Sequence, residues 1–147
     1  MDAAVTTSNL NSTLARLRAA HRTNTPDNAQ RMDDLARLRA AYRSRIEEFA
    51  KAMSADFGRR SRHESLLSDG MTVLNEIDHT RAHLRSWMTP KRAAADWLFF
   101  PARTEVRCQP LGVVGVIAPW NYPVNLALNP LVAAIGAAFV ARTVLGP

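Results

Sequence analysis

The sequence predicts an α/β fold: an N-terminal helical segment over residues 1–103, then the start of a sheet domain over 104–137, with 138–147 as a separate tail. Three observations predict it. Apolar residues recur every three or four positions through most of the first hundred residues. After Thr104 the period changes, and Leu111–Ile117 becomes a Val- and Ile-rich run suited to a buried strand. The run Gln109–Pro123 then passes from that strand into a proline-started helix, with one amide side chain, Asn121, at the turn.

Leu10, Leu14 and Leu17 have helical spacing in an opening segment that ends before Thr23-Asn24-Thr25-Pro26. The next helix takes Thr25 as its cap, Pro26 as its first residue and Asp27 at the positive end of the dipole. Its apolar stripe is Met32, Leu35, Leu38, Tyr42, Ile46, Phe49, Met53 and Phe57, and Gly58 supplies the stop. Ser61-Arg62-His63-Glu64 matches a capping box for a second long helix. The stripe there is Leu67, Met71, Leu74, Ile77, Leu84 and Met88, slightly weakened by Gly70 and ended by Thr89-Pro90. Lys91–Pro101 reads as a connector carrying the apolar patch Trp97 to Phe100. Thr104–Cys108 reads as a short strand, with a turn at Gln109-Pro110 before the buried strand. Tyr122-Pro123 opens a helix towards Gly136 that Pro130 disturbs.

The net charge of +6 invites a nucleic-acid role. Yet nearly all the basic residues are scattered arginines, most beside acids on helical stretches. The tight cluster Arg59-Arg60-Ser61-Arg62-His63 lacks interleaved aromatics and reads as a solvated loop, so no nucleic-acid partner is expected. Cys108 is the single cysteine, which excludes an intrachain disulfide and fits a reducing, cytoplasmic location. Met1–Ser8 has an acid at position 2 and no apolar run, unlike a secretory signal. Cys108 to Ala141 contains no charge, but Pro119, Pro123 and Pro130 and three asparagines interrupt it, so no membrane span is expected. His79 and His83 lie four apart, as metal ligands can, but no third ligand has suitable spacing, and no metal is expected.

Asn121 follows a predicted strand and precedes a helix. Its amide could donate to an oxygen that becomes negative during acyl chemistry. Asparagine is equally a common helix N-cap, and spacing alone favours that role.

The wider string Pro-Leu-Gly-Val-Val-Gly-Val-Ile-Ala-Pro-Trp-Asn-Tyr-Pro, residues 110–123, resembles the strand-and-turn motif of the aldehyde dehydrogenase superfamily. Ala55-Asp56-Phe57-Gly58, Arg62-His63-Glu64-Ser65 and Arg85-Ser86-Trp87-Met88 resemble its coniferyl aldehyde and fatty-aldehyde branch. The resemblance implies a three-part fold: a Rossmann-like cofactor domain, a catalytic domain and an oligomerisation arm, with Thr104–Cys108 near the arm. It implies NAD or NADP as cofactor, a small-molecule aldehyde as substrate and a homodimer. By motif, Asn121 takes the place of the family's oxyanion-hole amide. Ile117, Ala118, Pro119 and Trp120 take that of the segment lining the cofactor cleft.

The family's thiol and general base lie in segments absent from these 147 residues. Cys108 precedes the motif and does not match the thiol. After Gly136 the tail departs from the family's pattern, so the resemblance implies a truncated member, inactive alone. The rival reading is a non-enzymatic helical interaction protein using its two amphipathic helices as a partner surface. A buried strand ending in Pro-Trp-Asn-Tyr-Pro has no purpose in such a bundle.

Overall fold

The computed structural model describes residues 7–94, 96–110, 112–137 and 139–146. Helix α1 spans Thr7–Thr23 and α2 spans Asn28–Phe57. Asp27, rather than Thr25, caps α2: its carboxylate accepts from the Gln30 N–H at 2.8 Å. The Thr25 hydroxyl instead donates back to the His21 carbonyl at 3.0 Å and so serves the end of α1. Gly58 stops α2 as expected, with φ 77°, a conformation that costs glycine little.

The second long helix consists of α3 (Arg62–Ser65), a π-helical turn (Leu66–Met71) and α4 (Thr72–Met88). Ser61 is its N-cap residue, but the side chain makes no capping hydrogen bond, so the expected capping box does not form. The buried face runs through Ser65, Asp69, Val73, Ile77, Thr80 and Leu84. Leu67 and Met71, expected in the apolar stripe, are exposed. The face begins with polar residues, so a search for apolar periodicity selects the wrong side of the first two turns. At Gly70 an added Cβ would lie 2.7 Å from Ile46 Cδ1, so the missing side chain lets the π turn approach α2.

Helices α2, α4 and α5 (Pro123–Ala137) enclose the core of Leu35, Tyr42, Val73, Ile77, Leu84 and Val132. Arg31, itself buried, ties the start of α2 to the far end of α5. Its guanidinium donates to the carbonyls of Pro26 at 3.1 Å and Ile135 at 2.7 Å. The second contact satisfies one of the last carbonyls of α5, which have no partner within their helix.

At Gly136 the fit between α4 and α5 is tight: an added Cβ would lie 2.1 Å from Thr80 Cγ2. Thr80 is buried, so its methyl has little room to move aside. Gly136→Ala is therefore expected to destabilise the chain by about 1–3 kcal/mol through overpacking, despite alanine's better helix propensity. Adding Thr80→Ser, which removes the clashing methyl, should recover most of that loss in urea melts. Equal midpoints for Gly136→Ala and wild type would contradict the close approach.

The sheet is antiparallel in the order β1 (Lys91–Ala93), β2 (Arg103–Pro110), β3 (Phe139–Gly146). Its register pairs Ala93 with Thr104 and Arg103 with Gly146. The connector before β2 holds a short 3-10 turn, Trp97–Phe99, and Trp97, Leu98 and Phe100 are exposed.

Two expectations fail here. Strand β2 does not turn at Gln109-Pro110 but continues to Pro110, which pairs with Phe139. The strand expected at Leu111–Ile117 does not form among the described residues: Leu111 lies outside them, Gly112 has φ 97°, and 112–119 carry no strand pairing. A strand apolar on both faces needs neighbours on either side. Residues 112–119 have no strand beside them in this sheet, and Val114, Val116 and Ile117 are exposed. Among the described residues no helix is long and apolar enough to cross a membrane.

Candidate functional site

Residues 112–119, which belong to no helix or strand, lead to a turn at Trp120–Tyr122, from which α5 rises at Pro123. Ile117 is 99% exposed and Trp120 65%; Pro119 and Asn121 are exposed and Ala118 is half-buried. The four residues expected to line a cofactor cleft thus form one open edge leading to the N-terminus of a helix. The Asn121 side-chain amide makes no hydrogen bond with any described residue; its engaged atom is the backbone carbonyl, which accepts from Arg60 Nη1 at 2.8 Å.

The capping role that spacing offered to Asn121 is filled from another element. Asp69, on the π turn, is fully buried, and its Oδ1 accepts from the Asn125 backbone N–H at 2.9 Å. That N–H belongs to the first turn of α5 and has no partner within the helix. The negative carboxylate also suits the positive end of the helix dipole. Asp69 Oδ2 accepts from Arg60 Nη2 at 2.9 Å, and the Arg60 side chain is only 6% exposed. The guanidinium is held between two rings, 4.8 Å from the centroid of Tyr122 and 5.2 Å from that of Phe57. Arg60 therefore joins one buried carboxylate to the carbonyl of Asn121.

The π geometry frees carbonyls that an α-helix would use internally. The Ser68 carbonyl accepts from Asn125 Nδ2 at 2.8 Å and from the Thr72 hydroxyl at 2.6 Å. The Asp69 carbonyl accepts from the Tyr42 hydroxyl at 3.1 Å. Asn129 Nδ2 donates to Asn125 Oδ1 at 2.6 Å. Asn125, in the first turn of α5, thus joins that helix to the one bearing Asp69, and Asn129 holds the Asn125 side chain.

Burial, then the charge of Asp69, pushes the Tyr42 hydroxyl up to about 12. The folded value lies above the ordinary tyrosine value of 10.0, so the neutral hydroxyl favours folding below pH 10 and that contribution is lost as pH rises towards 12. Wild type should therefore lose stability more steeply than Tyr42→Phe in denaturant melts between these values. Parallel pH profiles would contradict the assignment.

The basic cluster at Arg59–His63 is not a uniformly solvated loop. Arg60 turns inward, while Arg62 pairs with Glu47, which holds the Glu47 carboxyl below its ordinary value through the hydrogen bond between them. Arg39 grips Asp78 with two hydrogen bonds of 2.7 Å, with the same effect on the Asp78 carboxyl. The rings of His79 and His83 lie 4.3 Å apart beside Trp87, and His83 Nδ1 contacts the His79 carbonyl at 2.8 Å. Among the described residues no three His, Cys, Asp or Glu side chains converge as metal ligands. Cys108 is a half-buried free thiol in β2.

Arg60, Asp69 and Asn125 escaped sequence reasoning. The one available signal was an acid four residues after Ser65 and four before Val73, on the same face of a helical stretch.

A helical core of α2, α4 and α5 beside a small antiparallel sheet, with residues 112–119 leading into a turn and the capped helix α5, gives the chain an α/β architecture. Residues 3–142 match the aldehyde dehydrogenase family, and the chain belongs to that family. It is 40% identical over 129 residues to a probable coniferyl aldehyde dehydrogenase of Pseudomonas aeruginosa, covering 87% of this chain and 27% of that protein. It is 41% identical over 123 residues to a coniferyl aldehyde dehydrogenase of a Pseudomonas species, covering 83% of this chain and 25% of that one. The fold superposes with a TM-score of 0.82 and 27% identity on the substrate-bound state of Staphylococcus aureus AldH, covering 88% of this chain and 28% of that structure. The chain spans about a quarter of the length of the curated relatives it matches.

Proposed function

We propose that this chain forms part of an enzyme that oxidises aldehydes to carboxylic acids with NAD or NADP. The relatives' names suggest coniferyl aldehyde as the substrate, and the motif resemblance extends the class to other aromatic or long-chain aldehydes. The observation that carries the reading is the Asn121 amide: exposed, without a partner among the described residues, on a turn whose backbone is anchored from beneath.

In this reading the Asn121 amide donates to the aldehyde oxygen as it gains negative charge. A donor already in place needs no reorganisation when that charge develops. Ile117, Ala118, Pro119 and Trp120 line the cofactor cleft. The exposed apolar side chains of 116–120 and the open space around Gly115 fit a dinucleotide laid along the segment. When bound, the dinucleotide supplies the hydride acceptor. The nucleophilic thiol and the general base come from residues outside these 147, as Cys108 lies in the middle strand of the small sheet. A cytoplasmic homodimer completes the proposal. No feature favours the adaptor reading.

The test is NAD(P)H formation from coniferyl aldehyde and aliphatic aldehydes. A family enzyme of full length carrying these residues should turn over, and the 147-residue polypeptide alone should not. Turnover by the polypeptide that Cys108→Ser abolishes would make Cys108 the nucleophile and overturn the division of roles.

A further inference from the structure

We propose that Arg60 and Asp69 are positioning residues for the Asn121 turn; the inference rests on Asn121 being the oxyanion donor. The guanidinium makes two directed contacts, Nη2 to Asp69 Oδ2 at 2.9 Å and Nη1 to the Asn121 carbonyl at 2.8 Å. Asp69 is itself fixed: it is fully buried, and its second oxygen accepts from the Asn125 N–H at the start of α5. One carboxylate therefore sets both the first turn of α5 and, through Arg60, the peptide immediately before it.

The rings of Phe57 and Tyr122 leave the guanidinium little freedom to tilt. Residue 121 is held by its main chain while its side chain stays free. That is the arrangement a hydrogen-bond donor needs: its direction is fixed by atoms other than those that meet the ligand. Lysine cannot replace this arginine, because one ammonium lacks the planar fork that reaches two acceptors in fixed directions. The surface pair of Arg62 and Glu47 lies nearby in sequence and has no contact with the turn, so it serves as the control.

Asn121-Tyr122 is the sole Asn-Tyr pair in the sequence. Labelling asparagine carbonyls with 13C and tyrosine amides with 15N therefore gives a single cross-peak, which reports the Asn121 carbonyl. Arg60→Met and Asp69→Asn in the 147-residue chain should each move the carbonyl carbon upfield, as a hydrogen bond from a guanidinium is lost. Arg60→Lys, which keeps the charge beside Asp69, should move it too, and stands in if Arg60→Met does not fold. Arg62→Gln should leave it in place. An unmoved cross-peak in a helical Arg60→Met or Arg60→Lys chain overturns the proposal.

The second arm uses a full-length family enzyme carrying these residues. Arg60→Lys should lower kcat at least tenfold with KM for the dinucleotide unchanged. A shifted cross-peak with full kcat in Arg60→Lys, where Asn121→Ala is impaired, overturns the positioning role alone. Full kcat in both variants overturns the role of Asn121 and, with it, this inference.

Discussion

Asn121→Ala, in a full-length family enzyme carrying these residues, is expected to lower kcat about 10²–10³-fold, the usual effect of removing one oxyanion donor. Dinucleotide affinity should change little, because in the proposed cleft the segment Ile117–Trp120, and not the Asn121 side chain, faces the cofactor. The competing role, helix capping, gives a different pattern: about 0.5–2 kcal/mol of lost stability with turnover per folded molecule intact. The structure already weakens that alternative, since the buried carboxylate of Asp69 takes the free N–H of Asn125 in the first turn of α5. A lower melting temperature with unchanged kcat would return Asn121 to a structural role.

The parts legible in the sequence are those decided by neighbours in the chain. Gly58 ends α2 because a positive φ is needed there, and Pro123 begins α5 because its fixed φ suits the first helical turn. The run Ile117–Asn121 was legible as a motif, and it leads into the turn at Trp120–Tyr122. The support beneath it was not. Arg60 reaches Asp69 nine positions away and Asn121 sixty-one positions away, and nothing in a local pattern distinguishes an inward arginine from its solvated neighbours. Apolar periodicity also treats an acid on a helix as a marker of the exposed side. Here Asp69 marks the buried side, because Arg60 and the first turn of α5 satisfy both its oxygens. The strand expected at 111–117 failed for a related reason: its composition specifies burial between neighbours, which local sequence cannot supply.

Asp69→Ala should be the most damaging single change to the stability of the chain, at about 3–5 kcal/mol, because it leaves the buried guanidinium of Arg60 with only the solvated carboxylate of Glu64, 3.8 Å away, as counter-charge. It also removes the acceptor of the Asn125 N–H, a loss of about 1–3 kcal/mol contained within that figure. The double change Arg60→Met with Asp69→Leu removes both charges and fills the space with apolar groups. It should recover most of the stability, short by roughly the 1–3 kcal/mol of the unpaired N–H. Position should not recover with it: the Asn121 carbonyl would still lack its donor, and a full-length family enzyme with the double change should remain impaired in kcat. Urea melts of the two variants beside wild type read the first effect, and turnover reads the second. If the double variant were no more stable than Asp69→Ala, the pair would be a net source of stability in its own right. If it regained full turnover, the buried pair would have no part in aiming the turn, and the chemistry at Asn121 would need a different support.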